Sequence, residues 1–186
     1  MAQQDNQCPV LVVVCGAPGS GKSTLAQRLA PLLRLPLLMR DELKETLYDT
    51  LGVPDAAGSR QYGGASYELL YVVARRLLGA GVGAIVESNF GRGWTEPQVR
   101  PLAEMARSVI VHCATRDPED TVRRYQERAA RGERHLGHHD ASAVGRLREG
   151  LSVGRYEPME IPARVIRVDT TGGYNPTLEE IVVLIG

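Results

Sequence analysis

The glycine-rich segment from Gly16 to Thr24 contains the residues best suited to chemistry in this chain. It reads Gly-Ala-Pro-Gly-Ser-Gly-Lys-Ser-Thr and matches the pattern G-x-x-x-x-G-K-[ST] between an apolar run and an amphipathic run. In such a loop, glycines let successive backbone amides point inward around phosphate oxygens. Lys22, one of only two lysines in the chain, can reach the β- and γ-phosphates, and the Ser23 hydroxyl can ligate magnesium. The segment therefore predicts a binding site for a nucleoside triphosphate, formed by Gly16, Ala17, Pro18, Gly19, Ser20, Gly21, Lys22, Ser23 and Thr24.

The sequence after the second predicted strand favours a kinase over a GTPase or a motor protein. The chain is short, and it has no N-K-x-D segment of the kind that reads guanine. Arg40 and Asp41 follow that strand, and a carboxylate there faces the nucleotide at the carboxyl-terminal edge of an open α/β sheet. Aspartate is also a favoured residue type at the N-cap of a helix. Catalysis and helix capping are therefore both open for Asp41.

Together these residues resemble the small P-loop kinases of the polynucleotide-kinase and zeta-toxin-like group, which are related to chloramphenicol phosphotransferase and gluconate kinase. The resemblance covers most of the chain. It depends on the glycine-rich motif, on R-D-E-L after the second strand, on a strand that ends in Glu87-Ser88-Asn89, and on arginines at positions 128, 131 and 134. It implies ATP and Mg²⁺ as cofactors and Asp41 as the group that activates the acceptor hydroxyl. It also implies that Arg40 helps to hold the acceptor or a phosphate.

Glu87 and the loop that follows it are predicted to lie beside the acceptor. The resemblance places Glu87 where these folds orient water on magnesium, although the related kinases usually have aspartate there. Binding of the acceptor by Glu87 and simple exposure at the strand end are the alternatives. Asn89 and Arg92 are further candidates for acceptor binding. The neighbouring aromatic residues, Phe90 and Trp94, either stack on a ring of the substrate or pin the loop to the body of the protein.

A series of arginines is predicted to form a lid over the nucleotide. Arg124, Arg128 and Arg131 share or neighbour one face of a predicted helix. The resemblance implies a lid at about residues 122–140, whose arginines offset charge on the transferred phosphoryl group. We predict that Arg128 and Arg131 are catalytic and that Arg124 binds the nucleotide, with a solvated helix face as the alternative. The spacing of the metal-ligand side chains in this tract favours lid flexibility or substrate contact over a zinc site: His135, His138, His139 and Asp140.

Short apolar runs that alternate with longer amphipathic segments must position these residues. This pattern is typical of a parallel sheet covered by helices. It predicts strands at Val10–Cys15, Pro36–Met39, Ala84–Glu87, Ser108–Cys113 and Arg164–Asp169. It predicts helices at Lys22–Leu33, Asp41–Leu51, Ser66–Leu78, Glu96–Arg107, Pro118–Arg131, Ala141–Leu151 and Leu178–Ile185. We therefore expect an α/β P-loop NTPase fold in one domain over residues 1–186. Its five-stranded parallel sheet is flanked by helices on both faces and carries a small helical lid.

Composition restricts the partners and the compartment. The 186 residues include 22 basic and 22 acidic side chains, a balance that argues against a protein held on duplex nucleic acid mainly by phosphate neutralisation. The sequence has no run of ~18 apolar residues that would span a membrane. Its first residues lack the positive region of a secretory signal. The three cysteines are too few for a disulfide framework and indicate a reducing, cytoplasmic compartment.

These observations predict an ATP-dependent kinase. Its acceptor is the hydroxyl of a small molecule or of a single-stranded nucleic-acid end, and the near-neutral net charge favours the small molecule. No membrane contact is expected, and the protein is either a monomer or a homodimer. The alternative is an ATP-binding regulatory switch that has no phosphoryl acceptor.

Overall fold

The structure, a computed structural model, describes residues 8–53, 55–131, 135 and 143–186. Its sheet is built from five parallel strands: β1 (Val10–Gly16), β2 (Leu37–Met39), β3 (Ala84–Glu87), β4 (Arg107–Ala114) and β5 (Arg164–Asp169). The strands lie in the order β2-β3-β1-β4-β5, so β1 is central. This arrangement confirms the predicted α/β fold with its five-stranded parallel sheet.

Helices connect the strands and cover the sheet: α1 (Lys22–Leu33), α2 (Arg40–Leu51), α3 (Ala56–Gly79), α4 (Glu96–Glu104), α5 (Pro118–Ala130), α6 (Val144–Ser152) and α7 (Leu178–Ile185). Within the described ranges, no helix is long and apolar enough to cross a membrane.

The central strand is apolar on both faces because each face is covered by helices. Leu11 and Val13 pack in one cluster with residues of α3 and α4, including Leu70. Val12 and Val14 point to the other face and pack with residues of α1 and α7. Both helical layers predicted from the alternation of elements are therefore present.

The start of α3 and the end of α4 differ from the predicted bounds. α3 begins about ten residues earlier than predicted, because the Asp55 side chain caps it by accepting from two backbone amides. Glycines in its first half hide the helical pattern, since glycine is a poor helix former. α4 ends before Arg107, whose backbone N–H bonds to the carbonyl of Pro9 at 2.8 Å and begins β4. Pro31 lies inside α1 without ending it, and the helix runs to Leu33.

Parallel strands bring their carboxyl ends to one edge of the sheet. At this edge β1 leads into the glycine-rich loop, and the register pairs Val14 of β1 and Met39 of β2 with Glu87 of β3. Ligands of open α/β sheets bind at this edge. The residues predicted to do chemistry therefore converge there.

Candidate active site

The glycine-rich loop is held tightly between β4 and α5. Gly16, Gly19 and Gly21 have φ angles of 142°, 88° and 81°. A Cβ atom on Gly16 would lie 2.2 Å from the carbonyl oxygen of Cys113, and one on Gly19 would lie 2.5 Å from that of Thr121. Larger residues do not fit at these positions. The backbone of α5 is therefore fixed directly against the loop.

A small cavity lies over the loop at the start of α1. Gly21 is the N-cap of this helix, and no side chain of the described residues caps it, which leaves its first amides and its positive dipole end for an anion. The cavity has a volume of about 170 Å³ and is lined by Gly19, Gly21, Lys22, Ser23, Thr24, Arg124 and Arg128. Three cationic side chains around exposed amides suit a polyphosphate.

The arginines of α5 differ in their relation to this cavity. Arg124 lines it and is anchored by donating to the carbonyl oxygens of Thr170 and Thr171, at 3.0 and 2.6 Å. Arg128 lines it one turn further along the helix. Arg131 has a side chain that is 61% exposed and lies 3.7 Å from Glu127. Arg124 and Arg128 therefore lie at the cavity over the glycine-rich loop, which we call the phosphate cavity, and Arg131 lies on the outer surface.

Glu87 lies at the end of β3 against the glycine-rich loop. The Ser23 hydroxyl donates to its Oε1 at 3.1 Å, and the Lys22 Nζ lies 3.7 Å from the same oxygen. Burial raises the pKa of Glu87, and the nearby Lys22 charge and the Ser23 hydrogen bond oppose that shift. Glu87 is only 2% exposed, so the alternative of a solvated carboxylate at the strand end is wrong. A hydroxyl and a carboxylate oxygen in contact are ligand types that Mg²⁺ accepts.

Arg40 and Asp41 open α2 immediately beyond the strand pairing of Met39 with Glu87. Met39 is the N-cap of α2, and Asp41 lies in its first turn, so the alternative that Asp41 is the N-cap is wrong. The Arg40 guanidinium donates to Asp41 Oδ1 at 2.9 Å. It also lies over the Tyr67 ring, 4.9 Å from the ring centroid.

A larger cavity of about 660 Å³ opens next to Arg40. Its lining combines three arginines, three aromatic residues and an amide side chain: Arg40, Arg92, Arg155, Tyr67, Trp94, Tyr156 and Asn89, together with Gly93, Val153 and Gly154. Four of the residues predicted for the acceptor, Arg40, Asn89, Arg92 and Trp94, therefore border one space. Glu87, the fifth, lies instead against Ser23 and Lys22.

The two aromatic residues after β3 have different positions. Phe90 is fully buried in the core cluster with α3 and α4. Trp94 is 47% exposed, lines the larger cavity and meets Tyr67 edge-on at 5.4 Å between ring centroids. Pinning of the loop thus falls to Phe90, and Trp94 remains accessible to a ligand.

Sequence reasoning missed two residues near the site. Tyr67 belongs to an apolar helical stripe that predicts core packing, yet it lines the larger cavity and its hydroxyl accepts from Ser88 at 2.8 Å. Thr170 donates to the Ser20 carbonyl at 2.8 Å and so braces the glycine-rich loop. Spacing alone gives no signal for either role.

Lys44 of α2 is buried, although lysine is usually a surface residue. It is 8% exposed, its Nζ donates to the Ser59 hydroxyl at 3.2 Å, and it lies 5.2 Å from the centroid of the Tyr48 ring. The available signal was its rarity, because the chain has only two lysines and both are buried.

The predicted lid lies only partly within the described residues. Its first part is α5, whereas positions 132–134 and 136–142, which include Arg134, His138, His139 and Asp140, lie outside them. His135 is described, and its Nε2 lies 3.1 Å from Asp49 Oδ1. Within the described part of the chain, no group of three or more histidine, cysteine, aspartate or glutamate residues could hold a metal ion. Closure of the lid stays a prediction.

Comparison with known proteins gives a family match over most of the chain. Residues 11–150 match the model of the family AAA_33, described as an AAA domain. A crystal structure from Chloroflexus aurantiacus, provisionally named a kinase, is 33% identical and superposes with a TM-score of 0.83, covering 96% of this chain and 97% of that one.

More distant similarities concern the fold or a part of the chain. A gluconokinase from Sinorhizobium meliloti 1021 has 20% identity and a TM-score of 0.55, with 96% of this chain and 90% of that one covered. The uncharacterized protein Rv2004c of Mycobacterium tuberculosis is 34% identical over 100 residues, which is 50% of this chain. That match spans only 19% of the length of the curated relative.

Proposed function

Because the chain belongs to the AAA domain family, and within it to a group of P-loop kinases, we propose that it transfers the γ-phosphoryl group of ATP to the hydroxyl of a small molecule. The observation that carries this proposal is the position of Glu87. It bonds to Ser23 of the phosphate loop, and the strand pairing of Met39 with Glu87 brings the start of α2, with Arg40 and Asp41, to the same strand end. This arrangement supports a phosphate donor site next to an acceptor site.

On this proposal, the chain's own residues divide the work of phosphoryl transfer. Asp41 accepts the proton of the acceptor hydroxyl, since a general base must lie within hydrogen-bond reach of the proton it takes. Lys22 and Arg128 offset negative charge on the transferred group. Arg124 holds the phosphates from a position fixed by the loop after β5.

Ser23 and Glu87 are the residues that would hold Mg²⁺. The bound ion would supply positive charge that offsets the negative charge developed during transfer. The donor set supports this assignment, because the Ser23 hydroxyl and the Glu87 carboxylate lie 3.1 Å apart beside the phosphate cavity.

The larger cavity supports a small-molecule acceptor. Its volume of about 660 Å³ lies in the range of small-molecule sites, roughly 300–1,000 Å³. The gluconokinase with the same fold acts on a small molecule, by its name. The acceptor hydroxyl of a nucleic-acid end is the second candidate, which the experiment below includes.

The test is ADP release from ATP and Mg²⁺ with and without a panel of alcohols: sugars, sugar acids, nucleosides and an oligonucleotide with a free 5′-hydroxyl. We expect at least one alcohol to raise ADP release about tenfold or more and to yield a phosphorylated product by mass spectrometry. ADP release that no acceptor changes would support a nucleotide-hydrolysing switch and contradict the kinase proposal.

A further inference from the structure

The larger cavity has a charge composition that restricts its ligand. Three arginines line it, Arg40, Arg92 and Arg155, and its lining within the described residues includes no aspartate or glutamate. Asp41 pairs with Arg40 and Glu160 pairs with Arg92 beside this lining, so neighbouring carboxylates balance part of its positive charge. A cavity lined in this way favours an anionic ligand.

The walls that carry Arg92 and Arg155 are locked together through their backbones. A Cβ atom on Gly91 would lie 2.1 Å from the carbonyl oxygen of Arg155 and 2.8 Å from Trp94 Nε1, so the loop after β3 lies directly on the segment at Arg155. Behind that segment, His112 Nε2 donates to the Tyr156 carbonyl at 2.9 Å. Arg92 and Arg155 thus line the same cavity from two segments whose relative position is set by main-chain packing.

Two polar atoms at the cavity indicate which ligand groups it can bind. Arg40 Nε and Asn89 Oδ1 are buried and have no hydrogen-bond partner among the described residues. The first is a donor and the second an acceptor. The oxygen of a ligand hydroxyl would accept from Arg40 Nε, and its hydrogen would donate to Asn89 Oδ1.

Arg92 and Trp94 can contact a ligand without the loss of a strong interaction within the protein. Arg92 lies 3.5 Å from Glu160, in an ion pair whose side chains are both at least half exposed, and such surface pairs contribute little. Trp94, half exposed beside Tyr67, offers an aromatic surface on which a ring can pack.

We propose that this cavity binds a small ring alcohol that carries an oxyanion, either a carboxylate or a phosphate. This inference rests on the proposed function in treating the bound alcohol as the phosphoryl acceptor. The hydroxyl lies toward Asn89 and Arg40, whose guanidinium bonds to Asp41, and the oxyanion lies between Arg92 and Arg155. Charge-assisted bonds from arginine to such groups are short and strong.

Trp94 allows binding to be measured without phosphoryl transfer, since it is the only tryptophan in the chain. Quenching of its fluorescence would be titrated with three matched probes: 4-(hydroxymethyl)benzamide, 4-(hydroxymethyl)benzoate and 4-(hydroxymethyl)phenyl phosphate. The first is neutral, the second carries a carboxylate and the third a phosphate. An oligothymidylate with a free 5′-hydroxyl is the fourth probe.

We expect each anionic probe to bind roughly tenfold or more tightly than the neutral amide, the scale of one charge-assisted hydrogen bond. The tighter of the two identifies the oxyanion. Arg92→Gln and Arg155→Gln should each reduce the preference several-fold, and the double variant should abolish it. Arg75→Gln, which removes an exposed charge from the outer side of α3, should leave the preference unchanged.

Equal affinity for the neutral and anionic probes would overturn the proposal, as would a preference that survives in the double variant. Tighter binding of the oligothymidylate than of either small anion would also overturn it, in favour of a nucleic-acid end. A preference for anions together with no ADP release from any alcohol would support the cavity assignment and contradict the kinase function alone. The two proposals can therefore fail separately.

Discussion

The phosphate side and the acceptor side of this site are built in different ways. Around the phosphate cavity, the backbone determines the shape: Gly16 and Gly19 lie against main-chain carbonyls of β4 and α5, which leave no room for a side chain. Around the proposed acceptor cavity, side chains provide most of the lining, with arginines and aromatic residues from four separate segments.

This difference follows from the chemistry of the two ligands. A phosphate presents the same oxygens in every nucleotide, so one continuous loop and one helix end can bind it. An acceptor varies among kinases, and its recognition depends on which side chains the fold brings together. The phosphate side and the acceptor side meet at Glu87. Its carboxylate accepts from Ser23 of the glycine-rich loop. In the sheet, Glu87 pairs with Met39, the residue before Arg40 and Asp41.

The substitution Asp41→Asn should affect the acceptor side of the site and leave the phosphate side intact. We expect phosphoryl transfer to fall by ~10²–10⁴, the scale of a positioned general base, because the amide cannot take a proton from the acceptor. ATP affinity should stay within a few-fold of wild type, since Asp41 does not line the phosphate cavity. Steady-state kinetics and nucleotide binding would measure both quantities.

Glu42→Gln is the matched control for Asp41→Asn, because Glu42 is the exposed neighbour on the same helix turn. It should keep wild-type transfer. If Asp41→Asn instead lowers the melting temperature while turnover per folded molecule holds, Asp41 has a structural role only.

Lys22→Ala tests the phosphate side. Loss of one preorganised charge at the phosphates should lower transfer by ~10²–10³ and weaken ATP binding as well, whereas binding of the benzoate probe near Trp94 should not change. Arg28→Gln, an exposed cation on the same helix, is the control. Wild-type turnover in Lys22→Ala would exclude this loop from catalysis.

The same contrast explains what could be predicted from sequence. The glycine-rich motif and the alternation of apolar runs with amphipathic ones are local patterns, and they predict the sheet, the helix layers and the phosphate loop. Helical spacing could not tell Arg128 from Arg131, because the deciding factor is which turn of α5 lies over Gly19 and Gly21.

The acceptor side could be predicted only in part. Arg92 and Trp94 stand out because they follow a strand end, but Tyr67 reads as a core residue from its place in the apolar stripe of α3. Lys44 reads as a surface residue because its partner, Ser59, lies across the α2–α3 turn in a helix whose glycines obscured its start. Contacts between segments that are distant in sequence leave no pattern in the residues around either one.

Gly63 offers a sharper test of how side chains shape the acceptor side. A Cβ at this position of α3 would lie 2.8 Å from an Arg40 guanidinium nitrogen, so Gly63→Ala should displace that flexible side chain. We expect kcat/KM for the acceptor to fall about tenfold, the scale of one lost charged hydrogen bond, while the KM for ATP stays constant.

Gly64→Ala is the matched control, because a Cβ there meets nothing within 4 Å. Both substitutions replace glycine inside a helix and should stabilise the fold by ~0.5–1 kcal/mol, which thermal or urea unfolding would measure. Equal acceptor kinetics in the two variants would show that the space beside Gly63 does not position Arg40.

The smallest expected effect concerns stability at Glu87, where the two halves meet. Burial raises the pKa of this carboxyl in the folded protein above its ordinary value of 4.5, so the folded state holds the proton more tightly than the unfolded chain does. Stability is therefore unaffected below that value, falls as pH rises from about 4.5 through the raised pKa, and then levels off.

Glu87→Gln resembles the protonated form and lacks this loss of stability. The melting temperature of the variant minus that of wild type should become more positive over that pH window, although phosphoryl transfer falls. A difference that stays constant with pH would mean that ionising Glu87 costs the fold nothing, and that Lys22 and Ser23 fully compensate its burial.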